Sequence, residues 1–105
     1  MHRIVKRDLK HTQKGDFATV LREWRPLAEQ GGADAQYALG GMYGNGQGVL
    51  QNNVYAHIWW NIAASNGNAD AVKARDIVEK RMTAADISKA QALARECVKK
   101  NYKGC

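Results

Sequence analysis

The chain has 105 residues, 45% of them hydrophobic, which fits one folded domain with a modest core. Its formal net charge is +6, and no apolar run approaches the roughly 18 residues that a membrane-spanning helix needs, so we expect no membrane span. The N-terminus carries basic residues without the apolar segment of a signal peptide. We expect a periplasmic or secreted protein if a signal peptide has been removed, and a cytoplasmic one otherwise.

The first third of the chain predicts two helices. Residues 3–14 contain a weak helical pattern, formed by Ile4, Val5 and Leu9. Gly15 and Asp16 then predict a break and a helix N-cap. A clear apolar stripe follows as far as Gln30; its members are Phe17, Val20, Leu21, Trp24, Leu27 and Ala28. Pro26 falls inside this helix and removes one backbone hydrogen bond, so we expect a bend between Arg22 and Pro26.

The centre of the chain predicts a helix, a turn and a second helix. The first helix has an apolar stripe at spacings of three and four: Ala35, Ala38, Leu39, Met42 and Tyr43. The second helix repeats this spacing with Tyr55, Trp59, Ile62 and Ala63. Glycines favour tight reversals and disfavour helices, so we place the turn at residues 44–48. This run lacks the preceding strand and the lysine of a phosphate-binding loop, and we interpret it only as a turn.

Two more helices complete the prediction. Asn68 or Asp70 caps a helix whose apolar residues are Ala71, Ala74, Ile77 and Val78. Thr83 fits a second N-cap, with Asp86 three residues later. The last helix carries Ile87, Ala90, Ala94, Cys97 and Val98 on one face, and we expect it to fray over residues 101–104.

The upstream and central segments share a period of 36 residues. The sequence around Trp24 and Ala28 is echoed around Trp60 and Ala64, since 60 − 24 and 64 − 28 both equal 36. A period of roughly 20 to 50 residues is typical of repeat arrays. We therefore predict an all-α fold, an α-solenoid of about three antiparallel helix pairs. Residues 1–105 would form one domain, divided into a degenerate opening pair (1–34), a complete repeat (35–69) and a degenerate closing pair with its cap (70–105).

The central motif resembles the Sel-one-like repeat family, which is related in shape to tetratricopeptide repeats. The matching positions are Ala35, Leu39, Gly40, Tyr43, Gly46, Gly48, Val49, Ala56, Trp59, Ala63, Ala64, Gly67 and Ala69. The resemblance implies a superhelix of the tetratricopeptide type that serves as an interaction scaffold rather than as an enzyme. We expect no catalytic residues, no cofactor and a protein or peptide partner.

Candidate partner-binding residues come from the geometry of helix-pair solenoids, in which the first helices of successive pairs line the concave side. The outward positions of residues 35–43 are therefore the first candidates, especially Gln36, Tyr37 and Met42. His57 and Asn61 on the next helix are weaker candidates. Trp59 and Trp60 point about 100° apart on a helix, so both could be buried, or one could reach a groove and anchor a partner.

The charge distribution leaves two alternatives open. Residues 1–15 carry +4 and residues 95–105 carry +3, whereas the span between them carries −1. No aromatic-interleaved basic stripe or nucleic-acid motif accompanies this charge, so we favour a solubility role for the basic ends over binding of nucleic acid or another anionic polymer. No charged residue lies between Ala35 and Ala69, and this segment could instead pack on a copy of itself in an oligomer.

Cysteine and histidine offer little catalytic chemistry. Cys97 and Cys105 are the only cysteines, and two of them without nearby histidine cannot form a tetrahedral zinc site, so we expect no metal. The tail could fold back and join them in a disulfide, which would imply an oxidising compartment. We favour the disulfide because relatives of this kind are often exported. The alternative is that Cys97 is a buried structural thiol and that Cys105 is an unpaired thiol in the tail. His57 has no acid or nucleophile within helical reach, and His2 and His11 lie in the uncertain N-terminal segment.

Overall fold

The computed structural model describes residues 16–105, and this part of the chain is all-helical. The predicted helix at residues 3–14, together with His2 and His11, lies outside the described residues. None of the described helices is both long and apolar enough to cross a membrane. We number the five helices in chain order: α1 (Phe17–Glu29), α2 (Ala33–Asn45), α3 (Asn53–Ser65), α4 (Ala69–Glu79) and α5 (Ala84–Lys99).

The 36-residue period of the sequence reappears in the helix boundaries. Helix α3 begins and ends 36 residues after α1 does, since 53 − 17 and 65 − 29 both equal 36. The starts of α2 and α4 are also 36 residues apart, at Ala33 and Ala69. Thus α2 and α4 are the first helices of successive repeats, while α1 and α3 are second helices. This arrangement is a helical-repeat fold.

The turn between repeats is the same in both copies. Gly31 follows α1 with a φ of 95°, and Gly67 follows α3 with a φ of 103°. In each copy the next residue donates its backbone N–H to a carbonyl five residues earlier: Gly32 to Leu27 at 3.1 Å, and Asn68 to Ala63 at 3.0 Å. Glycine is favoured at this position because residues with a Cβ rarely adopt a positive φ.

Side chains cap the later helices; the caps at Asn68 and Thr83 were predicted, and the cap at Asn52 was not. The side chains of Asn52, Asn68 and Thr83 each accept a backbone N–H from the first turn of α3, α4 and α5, respectively. Asp16 occupies the N-cap position of α1 but makes no such bond. Its Oδ1 instead accepts a hydrogen bond from the Thr19 hydroxyl at 2.8 Å, so the position was predicted correctly and the capping bond was not.

Helix α2 is longer than predicted. It includes Gly44 and ends at Asn45, so the turn begins at Gly46 rather than at Gly44. Gly46 and Gly48 have φ values of 67° and 77°, which makes them the residues that reverse the chain. Helix α1 is uninterrupted at Pro26 and continues to Glu29.

The core is centred on α3. Ile58, Trp59 and Ile62 are at most 2% exposed, and Leu39 of α2 is fully buried against the same cluster. Helix α5 contributes three small buried residues to this cluster, Ala90, Ala94 and Cys97. Because these side chains are short, α5 can lie close to α3 and cover the large Trp59 ring.

Helix α3 packs against α2, α4 and α5, and α1 packs against α2. The last two helices make at most marginal contact with each other, because each lies against α3 instead. In the closing segment, which was predicted as a degenerate pair, the two helices therefore pack on α3 rather than on each other. Its second helix begins at Ala84, five residues earlier than the period would place it, since 53 + 36 is 89.

Candidate functional site

A groove runs between the two first helices of the repeats, and we call it the α2–α4 groove. Its volume is about 330 Å³. Its principal lining residues are Tyr37, Gly41, Trp60, Ala74, Ile77 and Arg81. A groove of this size fits one or two side chains of a bound segment.

The repeat brings equivalent positions of α2 and α4 to opposite walls of this groove. Gly41 and Ile77 are equivalent, since 77 − 41 is 36, and so are Asn45 and Arg81. Ile77 is 56% exposed although it is aliphatic. Among the residues that the structure describes, no atom lies within 4 Å of the place that a Cβ on Gly41 would occupy. The groove is therefore open above Gly41 and apolar on the opposite wall.

Trp60 is fixed at the base of the groove by α2. Its Nε1 donates a hydrogen bond to the backbone carbonyl of Tyr37 at 3.0 Å. A Cβ on Gly40 would lie only 2.6 Å from Cδ1 of the indole, and a Cβ on Gly44 would lie 3.0 Å from its Cη2. Gly40 and Gly44, which lie one helical turn apart, thus leave the space that the indole ring occupies. Of the two tryptophans, Trp59 is fully buried and Trp60 reaches the groove.

Gln36 was expected on the outward face, and the structure corrects this. Its side chain is fully buried. Its Nε2 donates to the Ala28 carbonyl at 3.0 Å, and its Oε1 accepts from Asn66 Nδ2 at 2.9 Å. Both ends of the amide are thus used to tie α2 to its neighbours. Gln36 is a structural residue that a partner cannot reach in this conformation.

Met42 and His57 are also buried rather than outward-facing. Met42 is 5% exposed and His57 is fully buried. The His57 Nε2 lies 2.7 Å from Oε2 of Glu79, which α4 brings to it from 22 residues away in the sequence. Local helical spacing had shown no acid near His57, because this contact depends on how α3 and α4 pack.

Tyr37 and Asn61 remain accessible. Tyr37 is partly exposed and lines the α2–α4 groove. Asn61 is also partly exposed, but its Oδ1 accepts a hydrogen bond from Arg75 of α4 at 3.2 Å, and it does not line this groove. Tyr37 is thus the one original candidate that the fold places in the α2–α4 groove.

The groove residues that the sequence-based prediction missed are Gly41, Ile77 and Arg81. The signal that could have found Ile77 and Arg81 is the 36-residue period, because it maps Gly41 and Asn45 of α2 onto these two facing positions in and just after α4. Trp60 was one of the two tryptophans that could reach a groove, and the packing of α3 on the two glycines of α2 decides between them.

The two cysteines are joined in a disulfide, with Cα atoms 5.7 Å apart. The bridge holds the C-terminal turn against α5, and Tyr102 in this turn packs on the core. The Tyr102 hydroxyl accepts a hydrogen bond from Asn66 Nδ2 at 3.3 Å. Within residues 16–105, no three His, Cys, Asp or Glu side chains lie together in a way that could hold a metal ion.

Comparison with protein-family models matches residues 33–68 to the Sel1 repeat, the family named above as Sel-one-like. The match spans 36 residues, the length of the period, and covers α2, α3 and the loops that follow them. No curated protein matches the chain, and no solved structure does. Residues 33–68 of the chain are therefore similar to a Sel1 repeat, and the helices on either side of this segment begin at the same 36-residue period.

Proposed function

We propose that this protein is a non-catalytic scaffold that binds a protein or peptide segment in the α2–α4 groove. Sel1 repeats generally mediate protein–protein interaction, and the family is generally non-catalytic. The observation that carries the proposal is the open space over Gly41, between the Tyr37 ring and the exposed Ile77. An incoming side chain can enter there without displacing any of residues 16–105.

The chemistry of the lining supports binding of an apolar segment. Tyr37 and Trp60 supply aromatic surface, which is enriched in the energetically important centres of interfaces. Trp60 is fixed by its hydrogen bond and by its close contact with Gly40 and Gly44. Little side-chain entropy is therefore lost when a partner contacts Trp60. Among the described residues, Arg81 is the only charged one in the lining, so burial of this part of the groove desolvates few charges.

The test uses a substitution that fills the groove without disturbing the core. Gly41→Leu places an aliphatic side chain in the open space, and leucine also favours the helix. The matched control is Ala92→Leu, which adds the same side chain at an exposed position of α5 outside the α2–α4 groove. Cooperative thermal unfolding of each variant establishes that both are folded.

Each protein is used as bait in native extract, and captured proteins are identified and titrated against the purified baits by calorimetry. We expect a partner that binds the unaltered chain and Ala92→Leu equally and binds Gly41→Leu at least about tenfold more weakly. Equal binding to all three baits would show that the groove is not the site. Retention of nucleic acid or acidic polymer alone, released by salt, would instead support binding through the basic ends.

Self-association is measured on the same variants by light scattering over a range of concentrations. A monomer under all conditions is expected. A dimer that Gly41→Leu abolishes and Ala92→Leu preserves would assign the groove to a second copy of the chain and contradict the scaffold proposal.

A further inference from the structure

A second groove lies between α3 and α5, and we call it the α3–α5 groove. Its volume is about 430 Å³. Ile62 and Ala94 form a buried floor, and Val98 forms an apolar wall that is 46% exposed. Arg95 and Lys99 stand at its rim. It shares no lining residue with the α2–α4 groove.

The groove exists because the last two helices diverge. Helices α4 and α5 both pack on α3 but make at most marginal contact with each other. The surface of α3 between them, which includes Asn61 and Ser65, is therefore left open. Arg75 of α4 donates a hydrogen bond to Asn61 at 3.2 Å, which places α4 beside this rim.

The charged residues that line the groove favour an acidic occupant. Within residues 16–105, the lining contains two cations, Arg95 and Lys99, and no carboxylate. Nζ of Lys99 lies 3.7 Å from Oε1 of Glu96, but both side chains are more than half exposed. Such an exposed ion pair is weak, so a carboxylate of a partner can replace Glu96. Residues 95–105 carry a net charge of +3, from four basic residues and one acid. This local excess attracts acidic segments and accelerates their association.

We propose that the α3–α5 groove binds a short acidic peptide segment of a partner protein. The segment inserts one aliphatic or aromatic side chain beside Val98 and places its carboxylates near Arg95 and Lys99. A nucleic acid fits less well, since no aromatic side chain from residues 16–105 lines the groove to stack on a base. This site is independent of the proposed scaffold function at the α2–α4 groove.

The test uses a synthetic, fluorescently labelled peptide with blocked ends, in which one leucine is flanked on both sides by glutamates. Two control peptides replace the leucine by alanine or the glutamates by glutamines. Binding is followed by fluorescence anisotropy at low and at physiological salt, with a single-stranded oligonucleotide as competitor. We expect binding of the first peptide and at least about tenfold weaker binding of both controls.

The protein variants separate the groove from general electrostatic attraction. The double variant Arg95→Gln with Lys99→Gln should weaken peptide binding at least about tenfold. The matched control is Lys89→Gln with Lys103→Gln, which removes the same charge from exposed positions outside the groove and should change binding less than about twofold. Val98→Ser removes apolar wall without changing charge, and it should also weaken binding. Thermal melts establish that each variant is folded.

Three results would overturn the proposal. One is equal loss of affinity in the two double variants, which would indicate nonspecific attraction. Another is equal binding of the leucine and alanine peptides, which would show that no side chain enters the groove. The third is displacement of the peptide by the oligonucleotide at equal or lower concentration. Gly41→Leu should leave peptide binding unchanged, so failure here and failure of the scaffold proposal are distinguishable.

Discussion

Trp60 and Gly40 are in such close contact that no side chain fits between them. A Cβ on Gly40 would stand 2.6 Å from Cδ1 of the indole, which is closer than real Cβ contacts allow. The ring cannot easily move away, because its Nε1 is bonded to the Tyr37 carbonyl and its far edge lies against Gly44. The contact fixes the distance between α2 and α3, and it also determines the base of the α2–α4 groove.

This contact predicts opposite effects for two adjacent glycines. Gly40→Ala should lower the free energy of unfolding by about 1–3 kcal/mol, because the added methyl group overpacks the interface with Trp60. In Gly41→Ala the added methyl group lies in open space. This variant should raise the free energy of unfolding by about 0.5–1 kcal/mol, since alanine favours the helix. Urea denaturation of both variants measures this. Equal destabilisation would mean that the Trp60 ring is not seated as described.

The buried amide of Gln36 predicts a second stability effect. Gln36→Ala removes the hydrogen bonds to the Ala28 carbonyl and to Asn66, and it leaves a cavity, so we expect a loss of about 2 kcal/mol. The control Gln91→Ala changes the same side chain at an exposed position of α5 and should cost less than about 0.5 kcal/mol. Denaturation midpoints that are equal for the two variants would contradict the burial of Gln36.

The pairing of His57 with Glu79 predicts that the two residues are energetically coupled. Glu79→Ala leaves the buried His57 Nε2 without its partner and should cost about 1–2 kcal/mol. Asp76→Ala is the control, since Asp76 is exposed and lies 3.5 Å from Arg75; it should cost less than about 0.5 kcal/mol. A double-mutant cycle with His57→Phe isolates the coupling. A coupling free energy near zero would show that the contact does not stabilise the fold.

The disulfide predicts a redox-dependent stability. The bridge joins Cys97 and Cys105 across eight positions, and a loop of this size should contribute about 2 kcal/mol. Cys105→Ser should therefore melt at a lower temperature than the unaltered chain under oxidising conditions. A dithiol reductant should lower the melting temperature of the unaltered chain to that of the variant, and it should leave the melting temperature of the variant unchanged. If the reductant does not change the melting temperature of the unaltered chain, the bridge has no structural role.

The sequence by itself determined the repeat and most of the helix ends. The 36-residue period is visible in the sequence as an echo of the same residues, and the caps at Asn68 and Thr83 can be read from it because they depend on residues close together in the chain. The same local reasoning misplaced the end of α2, since the packing of Trp60 keeps Gly44 helical. Tertiary contact here outweighed the low helix propensity of glycine.

Only the tertiary structure decided which side chains face inward and which remain available. Gln36 and Tyr37 are adjacent in the sequence, yet one is fully buried and the other lines the α2–α4 groove. Glu79 reaches His57 only because α4 packs on α3, and the α3–α5 groove exists only because α5 lies away from α4. Helical spacing defines a stripe of residues, but neighbouring helices determine which edge of the stripe is covered.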